Sequence, residues 1–257
     1  MSLTPEQLCH RNEVELSCER MSQLNRMSSA ELRKLLGGEA VDAAIWVETA
    51  AHHGVAYGQL RWGAMLLEGD GVPRDPASAL YWFGKAAQSG NGEAMNMVGR
   101  CYENGWGVPA DMDQAAHWYR RSAETGYDWG EYNYAHMLFD GTGIPQDRAQ
   151  AVTWYGKAAA RGHARAMNLL GRCYEEGWGC IQDRHQAADW YRRSADSGYF
   201  RAQFNHACVL LEQGDIDAAA YWLGQAASLG NDDMRREIRH RLTGTAESRL
   251  LAVLARI

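Results

Sequence analysis

No run of eighteen apolar residues occurs anywhere in the 257-residue sequence, so nothing in it reads as a membrane-spanning helix. Positive charge is not in excess either: 26 Lys and Arg stand against 32 Asp and Glu, a formal net charge of −6. That balance supplies no basic field for nucleic acid. Lysine itself is scarce. Lys34, Lys85 and Lys157 are the only three, so 23 of the 26 basic residues are arginine, a bias that points to a GC-rich genome rather than to a mechanism. The start, MSLTPEQLCHRNEVELSCER, lacks the apolar stretch and cleavage site of a secretory signal, which makes a cytoplasmic location the expectation.

Chemical signatures are equally sparse. Six cysteines (Cys9, Cys18, Cys101, Cys173, Cys180 and Cys208) could form three bridges in an exported protein, but without export reduced thiols are expected. No cysteine pair has zinc-ligand spacing, and there is no Gly-x-Ser-x-Gly and no phosphate-cradling loop. No cofactor is expected. His136 and His206 invite a metal reading, yet their repeat positions differ by two residues, and neither is expected to find a carboxylate that would complete a site. An acid and base pair could be sought in Glu103 and Glu175, but nearby arginines are expected to keep both ionised.

What the sequence does have is 46% hydrophobic residues and 23% charged, the balance of a soluble globular chain. Its aromatics are lopsided: ten Trp and twelve Tyr against four Phe, beside 27 Gly. That combination predicts large rings packed into small notches. Gly-x-Gly pairs at Gly69/Gly71, Gly105/Gly107, Gly141/Gly143 and Gly177/Gly179 recur every 36 residues. A tryptophan column runs through Trp46, Trp82, Trp118, Trp154, Trp190 and Trp222, and a glycine column through Gly54, Gly90, Gly126, Gly162, Gly198 and Gly230. Only the last step shortens, to 32.

Five units follow, 55–90, 91–126, 127–162, 163–198 and 199–230, each read as a pair of helices A and B. Helix A ends at the first loop glycine, which is free to turn left-handed. Helix B opens on an aspartate N-cap with glutamine three residues on, as in Asp111/Gln114, Asp147/Gln150 and Asp183/Gln186, or on Asp75 followed by Pro76. Small residues on helix A (Gly63, Gly99, Ala135, Gly171, Ala207) and paired small residues on helix B mark close approach, with the Trp column expected to fill the space between. One unit cannot bury both faces, so stacking must supply the core. The reading is an all-α, right-handed solenoid. Residues 1–54 hold N-terminal helices at about 4–24 and 29–36 and a partial leading unit at 39–53. Residues 231–257 form a closing helix pair, the last of which either caps the stack or joins a weak dimer, with the cap preferred.

The segments AMNMVGRCYENGWGVPADMDQAAHWYRRSAETG and AMNLLGRCYEEGWGCIQDRHQAADWYRRSADSG resemble the Sel-one-like repeat, a relative of the tetratricopeptide repeat. The resemblance covers all five units. It implies an adaptor scaffold that organises other proteins, commonly in bacterial signalling, with no catalysis. Secreted cysteine-rich members carry a disulfide in every repeat and are linked to penicillin binding. This sequence lacks that paired-cysteine pattern.

By the same resemblance, helix A lines the inner surface. There the second and fourth units present Glu93, Asn96, Arg100 and Glu103, and Arg165, Asn168, Arg172 and Glu175, whereas the third presents Trp129, Tyr132 and His136 and the fifth Arg201 and Phe204. Polar and aromatic bands therefore alternate, and the deeper period is 72. The expectation is a groove for a peptide or protein segment, with the arginines taking carboxylates or carbonyls, the asparagines pairing with amides, and the rings holding apolar anchors. The opposing reading makes Arg100 and Arg172 intrahelical partners of the glutamates beside them. A third places docking on the outer helix B face, through Arg120, Arg121, Arg192 and Arg193. Trp106 and Trp178, inside the glycine pairs, are read either as contact points or as packing.

Overall fold

The computed structural model describes residues 40–244 and 247–255. Among them the chain is all helix: α1 (Ala40–His52), α2 (Ala56–Glu68), α3 (Pro76–Gln88), α4 (Gly92–Asn104), α5 (Met112–Glu124), α6 (Asp128–Asp140), α7 (Arg148–Ala160), α8 (Ala164–Glu176), α9 (Arg184–Asp196), α10 (Phe200–Gln213), α11 (Ile216–Leu229), α12 (Asp232–Arg241) and α13 (Ser248–Leu254). The expected helices at 4–24 and 29–36 lie outside the described residues, as do Cys9 and Cys18.

The helix ends follow the sequence punctuation. Gly69, Gly105, Gly177 and Gly214 each take a left-handed conformation that ends helix A. The N-cap aspartates Asp75, Asp111, Asp147, Asp183 and Asp215 accept backbone N–H bonds from the first turn of helix B. The cap runs mainly one way, however: the Gln186 amide turns to Asp183 Oδ2 rather than to the cap's own N–H, which is already committed elsewhere. Those N–H groups reach back to helix A, from Asp75 to Leu66 O (2.7 Å), Asp111 to Tyr102 O (2.9 Å), Asp147 to Leu138 O (2.9 Å) and Asp183 to Tyr174 O (2.8 Å). Each loop is thus sewn to its own hairpin.

The chain divides into two compact units between Gly130 and Glu131. In the first, α1 packs on α2, α2 on α3, α3 on α4 and α4 on α5. Its core joins Val47, Phe83, Met65, Val98 and Cys101 with the small residues Ala50, Ala86 and Ala94. The second glycine of the loop locks this stack: a Cβ on Gly107 would lie 2.2 Å from the Pro76 carbonyl oxygen, in the first turn of the preceding helix B. The second unit repeats the arrangement from α7 through α11, with Gly179 against the Arg148 carbonyl at 2.3 Å. There α12 and α13 pack on α11, and Leu250 and Val253 join Leu223, Ile238 and Leu242 in a buried cluster. The last helix therefore packs against its own unit.

One expectation is corrected. The space between helices A and B is filled not by the tryptophans but by the residue after each of them: Val47, Phe83, Tyr119, Tyr155, Tyr191 and Leu223 are at most 1% exposed. In α3 the buried positions Ala79, Phe83, Ala86 and Ala87 recur at helical spacing, so Phe83 is at the centre of the apolar face and Trp82 is turned 100° away. Gly99 and Gly171 are the notches for Tyr119 and Tyr191, whose rings a Cβ would meet at 2.7 and 2.8 Å. The tryptophans are half-buried on the flank of helix B and carry cations from the next turn, Arg121 over Trp118 at 4.4 Å, Lys157 over Trp154 at 3.4 Å and Arg193 over Trp190 at 4.1 Å.

Candidate functional site

Helix A residues of the first unit are partly structural. Asn96 is buried, and Glu103 accepts the Tyr119 hydroxyl at 2.5 Å. Arg100 turns to a ring and a sulfur rather than to Glu103: its guanidinium lies over the Trp106 ring at 5.1 Å with Nη1 3.7 Å from Met97 Sδ. Partial burial of the Glu93 carboxyl raises its pKa, and burial followed by the charge of Glu93 pushes the Tyr127 phenol up to about 12. Trp129 is exposed, at 39%.

The second unit repeats this set. Glu175 accepts from Tyr191, and Arg172 covers Trp178 at 5.2 Å, while Trp178 meets Phe139 at 5.4 Å. The loop tryptophans are therefore packing elements that support the arginines, and the 72-residue period is real in three dimensions. Here, however, five of the expected site residues converge. Tyr132, His136, Asn168, Arg172 and Phe204 line one cavity of about 510 Å³ between α6, α8, α10 and α12.

Its walls are fixed by contacts that the sequence does not advertise. Tyr132 stacks on His163 at 4.7 Å and stands edge-on to His136 at 6.2 Å, and burial raises its pKa. His163 is itself the N-cap of α8, its Nδ1 accepting the Ala166 N–H at 3.1 Å. Asn205 Nδ2 donates to Asn168 Oδ1 at 2.9 Å, tying α10 to α8 across the cavity floor. His136 does have a carboxylate partner, contrary to expectation: Asp140, one turn on, lies 2.9 Å from Nδ1. That pair is two groups, and no cluster of three metal-ligating side chains occurs among the described residues.

Sequence reasoning missed the wall supplied by α12, which brings Asn231, Asp233 and Glu237 to the cavity. It treated that helix as a cap alone. Glu175 lies away from the cavity and lines a separate recess with Glu176 and Glu212. On helix B the four outer arginines are engaged within their own helices, Arg120 with Glu124 at 3.3 Å, Arg192 with Asp189 at 3.7 Å, and Arg121 and Arg193 over the tryptophans.

The Sel1 repeat profile matches residues 56–91, 92–127, 130–163, 164–199 and 201–231. The chain belongs to the Sel1 repeat family. Proteins with Sel1 repeats are typically protein-interaction scaffolds. Among solved structures, the chain is similar to a protective antigen present in uropathogenic Escherichia coli strains, at 28% identity and a TM-score of 0.75 over 99% of this chain. It spans 56% of that antigen's length. A Sel1 repeat protein from Oxalobacter formigenes is 27% identical with a TM-score of 0.73, covering 86% of this chain and 91% of the other. A Sel1 repeat protein from Klebsiella pneumoniae, 24% identical with a TM-score of 0.50 over 74% of this chain and 95% of its own, shares the fold. No curated protein matches the chain.

Proposed function

We propose that this Sel1 repeat protein is a non-catalytic scaffold that binds a peptide or protein segment on its helix A surface. The observation that carries the reading is the convergence of Tyr132, His136, Asn168, Arg172 and Phe204 on one cavity. Aromatic walls, an amide pair and an arginine in one concave place are the parts that peptide recognition uses. The outer helix B arginines support the alternative less well, because Arg120 and Arg192 are already paired with carboxylates of their own helices. A reducing compartment such as the cytoplasm belongs to the same reading, and the free thiols of Cys101 and Cys173 are in keeping with it.

The test is affinity co-purification from lysate with mass spectrometry, using the native chain and the Arg100→Ala/Arg172→Ala double variant. Proteins recovered with the native chain and lost with the variant support the reading. An identical set from both sinks it.

A further inference from the structure

The cavity of the second unit is electrically one-sided in a way that specifies what enters it. Arg172, from α8, and Arg201, from α10, reach it from neighbouring helices. Both are exposed, and each guanidinium has an aromatic ring beneath it, Trp178 at 5.2 Å and Phe200 at 5.9 Å. A ring supports a guanidinium by one face and leaves its N–H edge for another group. Arg165, one turn before Asn168, is a third arginine on the same cavity.

The negative groups of the cavity lining come from a different helix, α12. Asp233 is already answered by Arg236 from the same helix, and Glu237 faces the cavity beyond it. Tyr132, Phe200 and Phe204 line the same cavity, half-buried, and offer it apolar area. Asn168 gives its carbonyl oxygen to Asn205 and keeps an amide donor on the floor.

Resting on the scaffold reading above, we infer that this cavity takes an acidic peptide segment of another protein, with carboxylates on Arg172 and Arg201 and an adjacent apolar side chain against Tyr132 and Phe204. Planar guanidiniums donate to carboxylates two bonds at a time, which fixes direction as well as charge. Glu237 repels acid from the α12 side, so the segment's carboxylates point toward α8 and α10. The same repeat positions 72 residues earlier hold Glu93 and Trp129 where this unit has Arg165 and Arg201. The preference for acid is therefore a property of the second unit and not of the repeat.

The experiment is selection of a phage-displayed library of random twelve-residue peptides on the full chain at low salt. The selected peptides are then titrated, by fluorescence anisotropy, against the native chain, Arg172→Gln/Arg201→Gln and Tyr132→Ala/Phe204→Ala. Circular dichroism confirms that each variant is folded. The expected peptides carry Asp or Glu beside an apolar residue and bind the arginine variant about tenfold or more weakly. They also weaken in 1 M salt, where the screening length falls to about 3 Å. Neutral or basic peptides that lose binding only in the Tyr132/Phe204 variant would overturn the acidic class and leave the scaffold reading standing. Acidic peptides indifferent to the arginine variant would overturn the assignment to this cavity. An empty selection would overturn the inference, while the co-purification experiment judges the scaffold reading separately.

Discussion

Tyr191 donates its hydroxyl to Glu175 Oε2 at 2.5 Å, and Tyr119 does the same to Glu103 in the first unit. Both phenols are pushed far up in pKa, by burial first and then by the accepting carboxylate, so they remain donors across the physiological range. Tyr155 occupies the same column, but Phe139 stands where the glutamate would be, 6.4 Å from its ring. Replacing Tyr119 or Tyr191 by Phe should therefore cost about 1–2 kcal/mol, at the lower end for a bond to a charged group because the glutamate regains water. Tyr155→Phe should stay within about 0.5 kcal/mol. Urea unfolding midpoints of the three variants give the comparison, and equal losses at all three would show that the hydroxyl bonds do not matter.

Helical glycines should divide by sign. At Gly99 and Gly171 an added Cβ meets a tyrosine ring at 2.7 and 2.8 Å, so alanine should destabilise by about 1–3 kcal/mol through overpacking. At Gly84 and Gly156 nothing lies within 4 Å of the added atom, and alanine should stabilise by about 0.5–1 kcal/mol through helix propensity. Thermal melts of the four single variants are sufficient. Stabilisation at Gly171 would mean that the helices separate easily.

Loop glycines should be graded rather than equal. Gly105 and Gly107 both have positive φ, 69° and 76°, and an alanine at either carries about 1–2 kcal/mol of left-handed strain. Only Gly107 adds a collision, 2.2 Å from the Pro76 carbonyl oxygen, against 3.5 Å for the nearest atom at Gly105. The Gly107 variant should therefore unfold at clearly lower denaturant than the Gly105 variant, and Gly179→Ala should resemble it. Indistinguishable midpoints would argue that the loop does not seat on the preceding helix.

Burial pushes the thiols of Cys101 and Cys173 up to about 12, with Arg100 and Arg172 opposing the shift weakly. A thiol whose pKa is higher when folded than when unfolded holds its proton longer in the native chain. Its contribution is intact below the unfolded value of about 8.5 and is lost as pH climbs toward 12, by up to about 1.4 kcal/mol per pH unit for each thiol. Two measurements follow: stability should decline above about pH 9, and at pH 8 iodoacetamide should spare both residues in peptide maps until denaturant is added. Rapid native labelling of Cys173 would contradict its burial.

The helix boundaries were legible because each carries its own chemistry, aspartate to cap and glycine to turn, at a fixed spacing. The core column was misread because tryptophan is the larger residue and draws attention. The residue that matters is the one 100° further round, on the same face as Ala79 and Ala86. A signal for the Tyr–Glu bonds was present in the sequence. Sixteen residues before each column position stand Leu67 for Phe83, Glu103 for Tyr119, Phe139 for Tyr155 and Glu175 for Tyr191, so each carboxylate is met by a hydroxyl, while Tyr155 keeps its hydroxyl opposite a ring. Of the site, Tyr132, His136, Asn168, Arg172 and Phe204 were reachable by projecting repeat positions onto one face. Asn231, Asp233 and Glu237 were not, since α12 lies beyond the last unit and has no repeat register from which to project.

The seating of Gly107 on Pro76 and of Gly179 on Arg148 has a further effect. What each glycine touches is a backbone carbonyl, a group every amino acid supplies alike. The side chain at that point is consequently free to drift, and the pair Pro76 and Arg148 could hardly be more different. Neighbouring repeats can diverge in their surface chemistry without losing the mould on which the next loop is cast, and that is how a single duplicated hairpin can come to carry glutamate and tryptophan in one place and two arginines in another.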